Sequence, residues 1–348
     1  MVSLVAGISS SGIATKKSEP KLSKIALLVL LSPIAPLYYR LLGYRIMHIH
    51  WVSGQFRPPR PKGALADKFF YLWHNLFFFG LKISGLYLVW TAHNFLPHDK
   101  VFPDDIAARK LLARNCDCVI ALNEENFSAI QNSFAPKKLV LISAAEPSLV
   151  PTKDYDTVRS ELQIIDGQLN FSALGHVRPY KGPDIFLKAV SLLQSENVFT
   201  LAGSASEGPF KTEILALSDL VRAQHKLNLN LNFLSDHELA NLLLATDFLV
   251  CPFRQISNSG FVNLAMQMGV PLILPNLPSL TWVPRDAAVW FDAELGHVGL
   301  AAAISQAEIL SKAAREHMSQ AGKDFMQGKT WDDYIAAHVG LYQELLSR

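Results

Sequence analysis

The sequence predicts an α/β protein built from two Rossmann-like domains, and three observations carry that expectation. Short apolar, strand-like runs recur along the chain, helical patterns lie between most of them, and one polar, proline-containing stretch near residues 147–166 interrupts the alternation. Alternating strands and helices imply parallel sheets with helices on both faces. A chain of 348 residues is long enough to bury two separate cores.

In chain order the strand-like runs are YRIMHIHW (44–51), LYLVWTAHN (86–94), CVIALN (118–123), KLVLIS (138–143), NFSALG (170–175), VFTLAG (198–203), LNLNFL (229–234), DFLVCPF (247–253) and PLILPN (271–276). Helical patterns separate them, as in PDDIAARKLLARN (103–115) and SDHELANLLLATD (235–247). In the latter, Leu239, Leu242 and Leu243 fall on one face, and Ser235 stands three residues before Glu238, the spacing of a capping box. PSLVPTKDYDTVRSELQIID (147–166) has no strand pattern and reads as the junction. The expected organisation is therefore a first domain over 1–151, a second over 152–328, and a closing C-terminal helix within 329–348.

The net charge of +2 conceals an asymmetry. Residues 1–115 hold 15 Lys+Arg against 5 Asp+Glu, a balance of +10; the remainder holds 17 against 25, a balance of −8. A basic first domain suggests an anionic partner. The positive residues are scattered and no nucleic-acid recognition motif appears, so an anionic membrane surface is favoured over nucleic acid. FFYLWHNLFFFGLKISG (69–85), flanked by Lys68 and containing Lys82, reads either as a core helix or as a surface that rests on lipid. The N-terminus shows no clear signal peptide. IALLVLLSPIAPLYY (25–39) carries Pro33 and Pro36 and falls short of the roughly 18 apolar residues that a membrane span needs; a buried strand–loop–helix is expected there. Cys116, Cys118 and Cys251 have neither disulfide nor zinc-site spacing and read as buried thiols.

Two stretches carry the chemistry. GHVRPYKG (175–182) follows a strand and opens a helix, which puts Arg178 and Lys181 at a strand's carboxyl end, where open α/β sheets bind ligands. Arg178 can fork onto a phosphate, Lys181 supplies a point charge, and Gly175 and Gly182 permit close backbone approach. A solvated basic turn is the alternative. In CPFRQISNSGFVNLAMQMGVPLILP (251–275), Ser257, Asn258, Ser259 and Gly260 open a second helix, either as an ordinary cap or as an anion site. Two such termini in one domain favour a diphosphate. No P-loop pattern is present.

G-x-x-R-P-Y-K-G followed by N-S-G-x-x-x-x-A-x-x-x-G-x-P resembles the nucleotide-sugar-binding domain of GT-B glycosyltransferases, and HIHW (48–51) with TAHNFLPHD (91–99) extends the likeness to the first domain. Within that fold the pattern is similar to bacterial exopolysaccharide mannosyltransferases that use GDP-mannose and a lipid-linked acceptor. The resemblance implies two Rossmann-like domains facing across a cleft, with Arg178, Lys181 and Gly182 at the donor diphosphate and Ser259–Gly260 capping it. Many relatives of that kind carry Glu, seven residues, then Glu; here Gln255 and Asn263 hold those positions and can hydrogen-bond hydroxyls without charge. The second domain is then left without an obvious catalytic carboxylate.

A base is sought in the first domain. His93 ends a strand, with His98 and Asp99 close behind, and an imidazole near neutrality suits removal of an acceptor hydroxyl's proton. His48 and His50 read as core or cleft lining. The expected enzyme moves a hexose from GDP-mannose to a polyprenyl- or lipid-linked saccharide, without metal or other cofactor, at the cytoplasmic face of the cell membrane. The alternatives are a retaining enzyme that uses another donor, such as UDP-glucose or UDP-glucuronate, and a catalytically idle scaffold that binds sugar nucleotides.

Overall fold

The computed structural model describes residues 34–50, 64–96, 102, 104–256 and 259–348. The chain forms two compact units: the first comprises the residues up to Ala144 together with Asp332–Arg348, and the second comprises Ala145–Trp331.

The described part of the first unit holds helix α1 (Ala35–Leu41), strand β1 (Ile46–Ile49), α2 (Ala64–Ser84), β2 (Tyr87–Ala92), α3 (Asp105–Asn115), β3 (Cys118–Ala121), α4 (Glu124–Phe134) and β4 (Leu139–Leu141). The four strands pair in parallel in the order β1-β2-β3-β4. Leu88, Val119 and Ile120 are wholly buried, as expected of a parallel sheet with continuous apolar strands. Trp90 packs with Phe134 and Leu112 in the core. Asp104 and Asn123 cap α3 and α4 by accepting the N–H groups of Ala107 and Asn126. The C-terminal helix α12 (Trp331–Leu346) packs with this unit, tied by a Lys138–Glu344 ion pair.

The second unit contains α5 (Tyr155–Glu161), β5 (Asn170–Leu174), α6 (Pro183–Val190), β6 (Val198–Ala202), α7 (Pro209–Arg222), β7 (Lys226–Asn230), α8 (Asp236–Leu244), β8 (Phe248–Val250), α9 (Gly260–Met268), β9 (Leu272–Pro275), β10 (Ala288–Phe291), α10 (Gly296–Glu308) and α11 (Lys312–Met326). Its six parallel strands run β10-β9-β8-β5-β6-β7. This is the doubly wound order: the chain builds outward from β5 in one direction, then returns to β8 and builds outward in the other. Phe171 on β5 and Phe248 on β8 are register partners, with ring centroids 5.4 Å apart and nearly parallel planes. Buried polar groups on these strands are satisfied within the unit. Asn170 donates to the Ala245 carbonyl at 2.9 Å and accepts from Thr200 at 2.9 Å, and Thr246 donates to Ser172 at 2.8 Å.

Several sequence expectations hold at this level. The capping box at the start of α8 is formed by Ser235 and Glu238, and all three cysteines are free and buried. Among the described residues, which do not include 25–33, no helix is long and apolar enough to cross a membrane; this does not bear on the run at 25–39. Residues 35–41 are helical, but the helix is not buried as expected, with Tyr38 and Leu41 in solvent; residues 25–33 of the run at 25–39 lie outside the described residues. Strand β7 begins three residues before the expected 229, and β10 was not expected at all. AVWF is four residues long, preceded by a short 3₁₀ turn, and its strand character comes from pairing with β9.

Candidate functional site

The order of the second sheet fixes where its loops diverge. β5 and β8 are neighbours, but the chain leaves β5 towards β6 and leaves β8 towards β9 on the opposite side. A crevice therefore opens at their carboxyl ends. GHVRPYKG follows β5 and the 251–259 loop follows β8, so the two sequence motifs flank this switch point.

The two loops are laced together. Arg254 forks onto Asp184, at the start of α6, with N···O distances of 2.9 and 2.5 Å. The Arg254 guanidinium also donates to the Pro179 carbonyl, and its backbone N–H donates to the Tyr180 carbonyl at 2.9 Å. Burial disfavours the Asp184 carboxylate, but the hydrogen-bonded Arg254 charge outweighs it and holds the pKa below the ordinary value. Gly182 joins the loops more closely still: its φ is +70°, and a Cβ there would lie 2.0 Å from the Pro252 carbonyl oxygen. Only glycine meets both conditions.

Within this frame Arg178 is exposed and Lys181 is half-buried. The Lys181 ammonium sits 4.7 Å from the centroid of the Phe261 ring, a cation–π contact that leaves its hydrogen-bonding directions to a ligand. Burial lowers its pKa, and among the described residues no carboxylate forms an ion pair with either Arg178 or Lys181. Ser259 is buried and caps α9, accepting from the Val262 N–H at 3.4 Å. Gly260 begins α9, Asn263 is buried in its first turn, and Gln255 is exposed in the loop before it. Ser257 and Asn258 lie outside the described residues. The structure thus brings Arg178, Lys181, Gly182, Ser259, Gly260 and Asn263 to one end of the sheet.

One carboxylate at this end escaped the sequence reading. Glu146 reaches the start of α9, where a Cβ on Gly260 would lie 2.1 Å from its Oε1. Burial raises its pKa. No sequence signal marks Glu146, because only the tertiary fold brings it beside Gly260.

In the first unit, His50 and His93 directly follow β1 and β2, which are parallel neighbours. His50 Nδ1 and His93 Nε2 are 3.3 Å apart. A hydrogen bond between neutral imidazoles needs one donor and one acceptor, so their tautomers are coupled. If His93 donates from Nε2, its proton-accepting atom is Nδ1. His48 stacks beside His50 at 4.2 Å between centroids, bonds Thr91 Oγ1 at 2.8 Å, and contacts the Tyr342 hydroxyl on α12. His338, also on α12, is fully buried 5.8 Å from the His48 ring.

Burial pushes all four histidines below their ordinary pKa, with His50 at about 3 and His93 at about 4; like-charged neighbours add to the shift at His48 and His50. At neutral pH His93 is an uncharged imidazole, and a pKa of about 4 makes it a weaker base than the near-neutral imidazole expected from the sequence. Its loop is held by buried Arg109, which donates to the carbonyls of Asn94 at 2.7 Å and Phe95 at 3.2 Å. His98 and Asp99 lie outside the described residues. His48 and His50 read in sequence as lining; His338 and Tyr342, on a distant helix, were not foreseen.

A cavity of about 720 Å³ lies at the amino-terminal edge of the second sheet, bordered by Arg159, Lys226, Asp247 and Arg315. Its charges are largely committed: Arg159 pairs with Asp247 at 3.2 Å, and Arg315 donates to the Leu310 carbonyl at 2.7 Å. It lies at the opposite strand ends from the motifs.

Residues 154–325 match the family described as glycosyl transferases group 1. Over 280 residues the chain is 24% identical to a GDP-mannose:glycolipid 4-beta-D-mannosyltransferase of Xanthomonas campestris pv. campestris, covering 77% of this chain and 70% of that protein. Its fold is similar to that of sucrose-phosphate synthase from Thermosynechococcus elongatus, with a TM-score of 0.74 at 15% identity over 99% of this chain and 92% of that one. It is also similar to Anabaena HepE in complex with UDP, with a TM-score of 0.68 at 16% identity over 94% and 84%. The matched segment spans the whole doubly wound sheet with both crevice motifs, and by these likenesses the chain is a glycosyltransferase of GT-B fold.

Proposed function

We propose that this glycosyltransferase moves mannose from GDP-mannose onto a lipid-linked saccharide at an anionic membrane surface, with inversion at the anomeric carbon. The observation that carries the donor assignment is the pair of cations, Arg178 and Lys181, without an ion-pair partner among the described residues, at the switch point beside the α9 N-terminus. Cations and free helix N–H groups together suit a diphosphate. The choice of GDP-mannose and a glycolipid acceptor rests on the mannosyltransferase relative. The β linkage in that relative's name is what a single displacement on an α-linked mannosyl diphosphate yields.

In the proposed step, His93 takes the proton of the acceptor hydroxyl as that oxygen attacks C1. The bond from C1 to the β-phosphate oxygen breaks, and GDP departs with the electron pair. Lys181, Arg178 and the first N–H groups of α9 stabilise the charge that develops there, so the reading requires no metal. Gln255 and Asn263 offer neutral hydrogen bonds to donor hydroxyls.

Support for the membrane surface comes from α1 and α2, which leave large apolar side chains in solvent: Tyr38 and Leu41 on the first, Phe79 and Ile83 on the second. Arg40 and Lys82 stand on the same helices. Apolar side chains interleaved with cations suit an anionic interface.

Transfer assays across GDP- and UDP-hexoses with a lipid-linked saccharide test the reaction: mannose transfer from GDP-mannose is expected, and exclusive use of a UDP-sugar overturns the donor assignment. His93→Ala is expected to lower turnover by about 100-fold or more while sparing donor affinity; a near-wild-type rate removes it as the base. Co-flotation with anionic vesicles at low salt tests the surface, and protein that stays at the bottom of the gradient refutes it.

A further inference from the structure

The crevice of the second unit contains two opposite charges, neither of them neutralised by an ion pair. Lys181 has no carboxylate partner among the described residues, and Glu146 has no cationic one. They are not paired with each other either. Asp184, the neighbouring acid, is by contrast paired with Arg254 and, at 3.6 Å, with Lys188.

Glu146 is held against the first residue of α9, at the end of the helix where the diphosphate is read. Gly260 is what admits it: a Cβ there would meet Oε1 at 2.1 Å and the carboxyl carbon at 2.7 Å. No positive backbone angle requires glycine at this position, so the space itself is the reason. A lone carboxylate beside a pure diphosphate site would only repel its ligand. It becomes useful if the ligand also carries hydroxyl donors, because a carboxylate accepts two or more O–H hydrogen bonds and cannot donate any.

We propose that Glu146 binds the donor by accepting hydrogen bonds from vicinal hydroxyls, of the hexose or of the ribose, while Lys181 and Arg178 hold its diphosphate. The assignment rests on the second unit being the donor site, as proposed above. It supplies the carboxylate that neither Gln255 nor Asn263 provides, from the segment that leads into the second unit rather than from the 251–263 stretch. Half-burial, which raises the Glu146 pKa, also strengthens any hydrogen bond that it accepts in its charged form.

Calorimetric affinities of the full chain for GDP, 2′-deoxy-GDP and GDP-mannose test this in the wild type, Glu146→Gln and Glu146→Asp. Charge-assisted hydrogen bonds to two hydroxyls predict a loss of about 10- to 100-fold in Glu146→Gln. If the hexose is the partner, the loss appears for GDP-mannose and not for GDP. If the ribose is the partner, GDP and GDP-mannose weaken together and 2′-deoxy-GDP does not. Glu146→Asp, which keeps the charge, is expected to recover part of the loss in either case.

Unchanged affinities for all three ligands in Glu146→Gln, with or without a lower melting temperature, overturn the proposal and leave the carboxylate as a partner of the helix end. Should Glu146→Gln fail to fold, equal wild-type affinities for the three ligands overturn it as well, since no hydroxyl would then contribute. Wild-type protein that binds no GDP or UDP compound at all refutes the donor site itself, and the Glu146 assignment with it.

Discussion

Acidification should destabilise the first unit through its histidines, well above the pH at which carboxylates titrate. His50 and His93 have folded pKa values of about 3 and about 4 because burial disfavours the imidazolium, against about 6.5 in the unfolded chain. A folded value below the unfolded one means that the unfolded state binds protons first. The stabilising contribution is therefore complete above about pH 6.5 and declines as the pH falls towards the folded values. Between pH 7 and pH 5 the unfolded imidazoles become almost fully protonated while the folded ones remain neutral. Each residue then loses about 2 kcal/mol, and the two together about 4 kcal/mol. That is a large part of the 5–15 kcal/mol typical of a domain.

His48 and His338, whose pKa values burial also lowers, add in the same direction. The informative comparison is therefore urea unfolding at pH 7 and pH 5 for wild type and for the His50→Asn/His93→Asn double variant. The wild type should lose about 4 kcal/mol more than the variant over that interval. Equal losses in the two proteins would falsify the assignment of neutral, buried imidazoles.

The frame of the second unit makes two further predictions. Arg254→Ala leaves the buried Asp184 carboxylate with only the more distant Lys188 ammonium, at 3.6 Å. Because the arginine is itself partly exposed, the cost should fall between surface and buried ion pairs, at about 2 kcal/mol, and donor affinity should fall as the two loops part; urea unfolding and calorimetry read both, and an unchanged protein refutes the lacing role. Gly182→Ala meets both a left-handed backbone angle and the Pro252 carbonyl. A loss of about 2–4 kcal/mol is expected in the same unfolding assay, and a neutral substitution would mean that the loops are not held as described.

The site was legible in sequence to the extent that it is local. GHVRPYKG and NSG carry their own punctuation, a strand, a glycine and a helix start, so Arg178 and Lys181 could be placed at a strand end and Gly260 at a helix start from the local pattern. The LNLNLN repeat at 227–232 alternates without a marker at either end, so its register came only from pairing with β6, and β7 lies earlier than expected. Glu146, Arg254 with Asp184, and the His338–Tyr342 face of α12 belong to contacts between segments far apart in the chain. Each has ordinary neighbours in sequence, and nothing local distinguishes such a residue from a solvated charge or an amphipathic helix. The His50–His93 pair was half visible: both residues stood out, but the hydrogen bond joining them depends on β1 and β2 being neighbours.

Whether the crevice between the β5 and β8 loops receives a nucleoside diphosphate sugar is decided by calorimetric titration of GDP-mannose into wild type, Arg178→Ala and Lys181→Ala. Each cation removed from a diphosphate should weaken binding by about 10- to 100-fold, since charge-assisted hydrogen bonds to phosphate contribute about 1.5–3 kcal/mol. The Lys181 loss should persist in high salt because its ammonium is half-buried. Wild-type affinity in both variants would place the diphosphate elsewhere in the molecule.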